Sequence, residues 1–280
     1  MDKMKNLNKI LATITFLYAF IIYIITMAPT TSFWDCGEFI ATSITLGVPH
    51  PPGTPFYLLL GNFFSQLPTY SDLGARVNLI SPLFSALAVM FLYLIIVQLI
   101  EEWRGKVKSW PDCLIVYGSA IIGAFTFAVT DSHWFNAVEA EVYSISTFFT
   151  SIVVWLILKW STNSGHPGNV RYILIIAYMF GLAIGIHLLN LLALPFIALI
   201  VYFNKYKFKP GTLIVTMGIT LITFIVIYLG IIKGLPNMAN SFGLNLPIFV
   251  VLSIFSAMAY SVWKNYYQLS TILTCLMLII

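Results

Sequence analysis

Charge is what this chain has least of. Only 9% of its 280 residues are Asp, Glu, Lys or Arg, against 60% hydrophobic, where a soluble domain carries about 25% charged residues. A fold in water could not hide that much apolar surface, so the solvent is lipid. Cysteine is scarce as well. Cys36, Cys113 and Cys275 lie far apart with no C-x-x-C pair, which excludes a disulfide framework and reads as three small apolar residues. There is no H-E-x-x-H and no Cys/His cluster, hence no metal motif, although carboxylates alone could hold a divalent cation and metal dependence stays open. No nucleotide-phosphate loop, repeat or low-complexity tract occurs. Lys and Arg sit in small clusters between apolar runs, and no basic face marks nucleic acid as a partner.

What the chain has instead is apolar runs. At roughly twenty residues per crossing, spans are expected near 10–29, 79–100, 113–130, 143–160, 211–232 and 247–263. The first is too long for the 7–15-residue core of a signal peptide and reads as an uncleaved span. The stretch 172–203 would make one helix of roughly 48 Å, well beyond a ~30 Å hydrocarbon core. Two short or tilted spans, breaking near His187-Leu-Leu-Asn190, fit better. The final run, 269–280, stops before crossing and reads as a partial ninth span, as if the chain were truncated at its C-terminus. The expected fold is all-α: a polytopic transmembrane helix bundle of about eight complete spans and part of a ninth.

The position of the charges supports two spans in 172–203. Lys3, Lys5, Lys9, Arg104, Lys106, Lys108, Lys159, Arg171, Lys205, Lys207, Lys209 and Lys264 then share one side, and of the 14 cations only Arg76 and Lys233 fall opposite. The positive-inside rule places the N-terminus in the cytoplasm. The acids lean the other way: Asp35, Glu38, Asp72, Asp131, Glu139 and Glu141 outside, with His50, His133 and His187 at or near the same face. The expected location is a multi-pass membrane protein, of the inner or plasma membrane in a bacterium, with its working face extracytoplasmic.

The longest segment outside the spans is 30–78. Its piece 56–67 is apolar but too short to cross, and suits an interfacial helix. Residues 33–46 can form another short helix, in which Asp35 and Glu38 stand at i and i+3 on one face. His50-Pro-Pro-Gly53 then breaks that helix, because each proline fixes φ and forces its predecessor extended. The corner presents His50 near the carboxylates. An ionised Asp there can act as a general base or bind a cation; a solvated loop that happens to carry acids is the plainer alternative.

Phe33-Trp-Asp-Cys-Gly-Glu-Phe39, followed by Gly47-Val-Pro-His-Pro-Pro-Gly-Thr-Pro55, resembles a family of multi-pass proteins that includes an O-mannosyltransferase acting on IPT domains. That family belongs with the GT-C glycosyltransferases, which draw sugars from polyprenyl-phosphate donors. Ala75-Arg-Val-Asn-Leu-Ile-Ser81, Trp134-Phe-Asn-Ala-Val-Glu-Ala-Glu-Val-Tyr143 and Gly181-Leu-Ala-Ile-Gly-Ile-His-Leu-Leu-Asn190 match less specifically. The resemblance covers roughly 10–205, which makes 1–210 a GT-C-like catalytic membrane module and 211–280 additional spans. It implies sugar transfer, with mannose the expected sugar, from a lipid-linked donor to a hydroxyl of an acceptor protein. It also implies a catalytic acid in the first outer loop. Asp35 is the candidate base and Glu38 its helper or alternate.

Further candidates follow. Arg76, the only outer arginine, can pair with the lipid phosphate or anchor the next span by snorkelling. In the second outer loop His133, Glu139 and Glu141 are candidates for donor or acceptor binding. The two glutamates share a side only if the piece is extended, and diverge by roughly 200° in a helix; the resemblance favours Glu141 as the one facing the site. His187 and Asn190, one turn apart at the proposed break, either contact substrate or hydrogen-bond between helices. A transporter or lipid flippase is the competing class, favoured by that break and disfavoured by spans free of Asp, Glu, Lys and Arg away from their ends.

Overall fold

The computed structural model describes residues 2–51, 53–166 and 168–280. Every regular element among them is a helix. In chain order these are α1 (Asp2–Thr26), α2 (Cys36–Thr45), α3 (Pro55–Ser65), α4 (Leu73–Asn78), α5 (Ile80–Arg104), α6 (Trp110–Ala128), α7 (Asp131–Ala137) and α8 (Val142–Thr162). There follow α9 (Val170–Ile184), α10 (Ala193–Lys205), α11 (Pro210–Ile225), α12 (Gly234–Phe242), α13 (Asn245–Trp263) and α14 (Tyr267–Ile279). Among the described residues, seven helical stretches are long and apolar enough to cross a membrane. The expected fifth span is the shorter α9, of 15 residues, and the partial ninth is α14. The protein is a multi-pass helix bundle.

The helices group into two compact units, Met1–Trp155 with Ala183–Asn190, and Leu156–Leu182 with Leu191–Ile280. The core of the first is built from three stripes at helical spacing: Ala12, Thr15, Ala19 and Tyr23 on α1; Ala86, Val89, Tyr93 and Val97 on α5; Cys113, Val116, Tyr117, Ala120, Ala124 and Ala128 on α6, all buried. In lipid there is little hydrophobic gain from bringing helices together, so association rests on close van der Waals fit and interhelical hydrogen bonds. The alanines supply the first and three tyrosines the second. Tyr23 Oη donates to the Ala128 carbonyl at 2.7 Å, Tyr93 Oη to Asn8 Oδ1 at 2.9 Å, and Tyr117 Oη to the Met4 carbonyl at 3.3 Å. Ser109 and Asp112 form a capping box that starts α6, satisfying donors the helix itself leaves open.

Between α1 and α5 the chain folds into the three short helices α2, α3 and α4. Leu46, at φ 50, ends α2 in the left-handed region, and Pro55 opens α3 at a position where the missing N–H costs nothing. The expected helix over 33–46 is thus three residues shorter at its start, and the piece expected at 56–67 is α3. Gly61 of α3 packs so tightly on α2 that a β-carbon there would run into the Ser43 side chain. Asn62 Nδ2 donates to the Ser43 and Ile44 carbonyls at 3.0 and 3.2 Å, closing the C-terminal end of α2.

The break expected near 187–190 is present: α9 stops at Ile184 and a 3-10 turn, Leu188–Leu192, precedes α10. In the second unit α11 runs into a π-helical segment, Val226–Ile232, where the Lys233 N–H reaches the Tyr228 carbonyl at 3.0 Å, five residues back. Ile214, Val215, Ile219, Leu221 and Ile222 of α11 stay exposed, which fits a lipid-facing surface.

Candidate active site

The site is assembled around α2. Asp35 occupies the N-cap position of α2 but its carboxylate caps nothing, and it is exposed. One turn on, Glu38 grips His50 twice: the His50 backbone N–H donates to Oε1 at 2.7 Å and ring Nδ1 lies 2.7 Å from Oε2. The rigid corner therefore brings His50 back to the acids, and the Glu38 carboxylate is what it meets. The hydrogen bond from His50 holds Glu38 below the usual carboxylate range, and the same bond raises His50. One ligand atom from each of Asp35, Glu38 and His50 lies within 4.8 Å of the others.

Behind this exposed group the residues are buried. Helix α7 ends at Ala137, and 138–141 is not helical. Released from the helical 100° step, Glu139 and Glu141 fall in one neighbourhood, 2% and 6% exposed. Burial pushes Glu141 up to about 7, helped by the Asp35 and Glu139 carboxylates and opposed by His50. A carboxyl that changes charge near neutrality suits proton transfer. Burial also raises the Cys36 thiol, and Glu139 and Glu141 add to that rise. Tyr57 is fully buried, its ring 5.2 Å from that of Phe39, which in turn is 5.7 Å from His50. Among the described residues, Tyr57 Oη and Glu139 Oε1 find no hydrogen-bond partner.

Asn78 joins these parts. Its Nδ2 donates to the Ala28 and Thr30 carbonyls at 2.8 and 2.9 Å. Its Oδ1 accepts the Ala140 N–H at 3.0 Å and the Cys36 thiol at 3.8 Å. The end of α1, the start of α2 and the loop carrying Glu139 and Glu141 are thereby fixed to one side chain. Asp72 supports the same corner, capping α4 through the Ala75 N–H at 3.0 Å and accepting from Thr30 Oγ1 at 3.1 Å. Neither Asn78 nor Tyr57 was among the sequence candidates. The available signals for Asn78 were its place in the stretch Ala75–Ser81 that resembles the family and a lone amide just ahead of an apolar run.

The other candidates are dispersed. Arg76 donates Nε to the Tyr70 carbonyl at 2.6 Å and Nη1 to the Ser65 carbonyl at 3.1 Å, which leaves three of its five N–H donors for another acceptor. His133 packs inward, its ring 4.3 Å from Phe127 and 5.9 Å from Tyr23. Burial lowers it to about 4 against a hydrogen bond with the Ser85 backbone, so it is neutral at physiological pH and held in the helix core. Asn190 makes four hydrogen bonds: Nδ2 to the Ala183 and His187 carbonyls, both at 2.9 Å, and Oδ1 from Ser146 and Thr150 hydroxyls, both at 3.2 Å. Such an amide is fully used in holding helices. His187 accepts the Leu189 N–H on Nδ1 at 3.1 Å, which places its proton on Nε2, and its ring lies 5.3 Å from Tyr143.

Comparison with known proteins identifies relatives. Residues 35–209 match the family model described as the N-terminal domain of the protein O-mannosyl-transferase TMEM260. The protein O-mannosyl-transferase tmem260 of Dictyostelium discoideum is 28% identical over 195 residues, covering 65% of this chain and 22% of that protein. The protein O-mannosyl-transferase TMEM260 of Mus musculus is 28% identical over 188 residues, covering 67% of this chain and 25% of that protein. The chain thus spans a quarter or less of the length of these relatives. No solved structure matches it. With more than half of its residues inside the matched segment, the chain belongs to the TMEM260 N-terminal domain family.

Proposed function

We propose that this chain is the catalytic membrane module of a GT-C-type protein O-mannosyltransferase. It transfers mannose from a polyprenyl-phosphate donor to a Ser or Thr hydroxyl of an acceptor protein at the extracytoplasmic face of the membrane. The observation that carries the reading is Asp35: an exposed, uncapped carboxylate backed by two buried glutamates, at the first residue of the family match.

In this reading the acceptor hydroxyl attacks C1 of the sugar as the C1–O bond to the lipid phosphate breaks. The proton of the hydroxyl passes to Asp35 and polyprenyl phosphate leaves. The carbon in flight has oxocarbenium character, as in glycoside hydrolysis, so holding the hydroxyl in line and stabilising the leaving phosphate are the main demands on the protein. The free N–H groups of Arg76 suit the phosphate. Glu141 sits where it can take or return a proton near neutral pH. Asp35→Asn in purified membranes, assayed with polyprenyl-phosphate mannose and a panel of acceptor proteins, is expected to abolish transfer with the fold intact. Full activity would remove Asp35 as the base.

The break between α9 and α10 is the one feature that favours a transporter. Accumulation of substrate in proteoliposomes without any glycosidic product would support that class.

A further inference from the structure

All 10 acidic residues of the chain lie before residue 142. The stretch 142–280 carries Lys159, Arg171, Lys205, Lys207, Lys209, Lys233 and Lys264, and no Asp or Glu. The second compact unit falls wholly inside that stretch, so it holds cations that none of its own side chains can neutralise. The sorting of spans does not require this, because the positive-inside rule counts Lys and Arg and takes little account of acids. Some of these cations lie over rings: Arg171 is 5.1 Å from the centroid of Tyr172, and Lys264 is 4.3 Å from that of Trp263. Among the described residues, the ammonium groups of Lys205, Lys207 and Lys209 have neither a ring nor an acid beside them.

Lys205, in the last turn of α10, lines a cleft of about 560 Å³ together with Val170 of α9 and Tyr267, Gln268, Thr271 and Ile272 of α14. That volume falls within the roughly 300–1,000 Å³ of small-molecule sites. The lining combines an ammonium, hydroxyls and an amide with apolar side chains. Directly after Lys205 the connection 206–209 is not helical, and Tyr206 and Lys209 at its ends are extended. In an extended chain alternate residues point to opposite sides, which separates Lys207 and Lys209 from the exposed rings of Tyr206 and Phe208. Cations and aromatics so arranged suit the boundary between headgroups and acyl chains.

We infer that this cleft binds an anionic glycerophospholipid, whose phosphate meets Lys205, with Lys207 and Lys209 close by in the chain, and whose acyl chain lies along Val170 and Ile272. Charge complementarity selects the occupant. All the cations of this stretch except Lys233 fall at the expected cytoplasmic end, where anionic lipids make the leaflet surface negative. A free anion would use the ammonium and leave the apolar wall bare. A zwitterionic lipid would bring its own cation against Lys205. Lipid binding here is independent of the sugar transfer proposed above.

The test is native mass spectrometry of the purified full chain in detergent, titrated with phosphatidylglycerol and, separately, with phosphatidylcholine of the same acyl chains. One phosphatidylglycerol per chain is expected, bound at least about tenfold more tightly than phosphatidylcholine. Lys205→Gln should weaken it about fivefold, and Lys205→Arg should retain it. Ile272→Trp, which fills the cleft with every charge in place, should weaken it as well. Lys5→Gln, which removes an exposed cation of α1 at the same expected face, should leave it unchanged. Thermal unfolding of each variant reports that the fold survives. Equal binding of the two lipids, or an equal loss in Lys5→Gln, overturns the site and leaves only diffuse attraction to the leaflet. Displacement of the lipid by inorganic phosphate, and not by chloride at the same ionic strength, would reveal a free-anion site and overturn the lipid as occupant.

Discussion

Asn78 Oδ1 accepts the backbone N–H of Ala140 at 3.0 Å, across 62 residues of sequence. With the same side chain holding the Ala28 and Thr30 carbonyls, one buried amide sets where Glu139 and Glu141 stand relative to Asp35. Asn78→Ala removes the partner of one buried N–H and two part-buried carbonyls, at about 1–3 kcal/mol for each group that finds no water. Thermal unfolding in detergent should fall well below wild type, and sugar transfer should be lost at temperatures where the variant is still folded. An unchanged unfolding temperature would show that the clamp is dispensable.

Glu141 makes stability depend on pH. Its folded-state value, raised to about 7, lies above the ordinary 4.5. The contribution of the protonated form is present in full below 4.5 and is lost as pH rises toward and through 7. Glu141→Gln should therefore match wild type near pH 4.5 and be the more stable of the two at pH 8, by up to roughly 3 kcal/mol. Parallel unfolding curves at both pH values would contradict it.

Gly61 sets the distance between α2 and α3. Gly61→Ala forces a methyl group into Ser43, and overpacking of this kind costs about 1–3 kcal/mol. Because α2 carries Asp35 and Glu38, transfer should fall together with stability. Adding Ser43→Gly should restore both, and a double-mutant cycle in melting temperature measures the coupling.

The charge distribution predicts a sidedness that two exposed tryptophans make measurable. Trp34 and Trp103 are each 83% exposed, at opposite ends of the expected topology. In a Cys275→Ser background, with Cys36 and Cys113 buried, Trp34→Cys should react with an impermeant maleimide on intact cells. Trp103→Cys should react only after permeabilisation. The opposite pattern would invert the topology and move the acids to the cytosolic face.

Hydropathy and charge made most of the bundle legible. The long apolar runs became α1, α5, α6, α8 and α13, and the argument that 172–203 is too long for one crossing located the break before Leu188. The helix boundaries of the first connection were nearly right because prolines and short apolar length are local signals. The site was readable only in part. The i, i+3 spacing and the His50 corner brought Asp35, Glu38 and His50 into one group. A side chain that binds four groups from three distant segments, as Asn78 does, leaves no local mark. Nor does the sequence reveal that His133, polar and flanked by acids, turns inward against Phe127 and Tyr23. Orientation there depends on which face of a seven-residue helix meets α5, and periodicity cannot resolve so short a piece.

The interruption between α9 and α10 has a further consequence through Asn190. A helix that stops within an apolar region must satisfy its last peptide carbonyls internally. Those of Ala183 and His187 accept backbone N–H groups of Ile186, His187 and Asn190, and the Asn190 amide adds a side-chain donor to each while its oxygen takes two hydroxyls of α8. One amide thereby ties the turn to α8, so that Asn190→Ala would loosen this attachment and leave the turn's own backbone bonds in place.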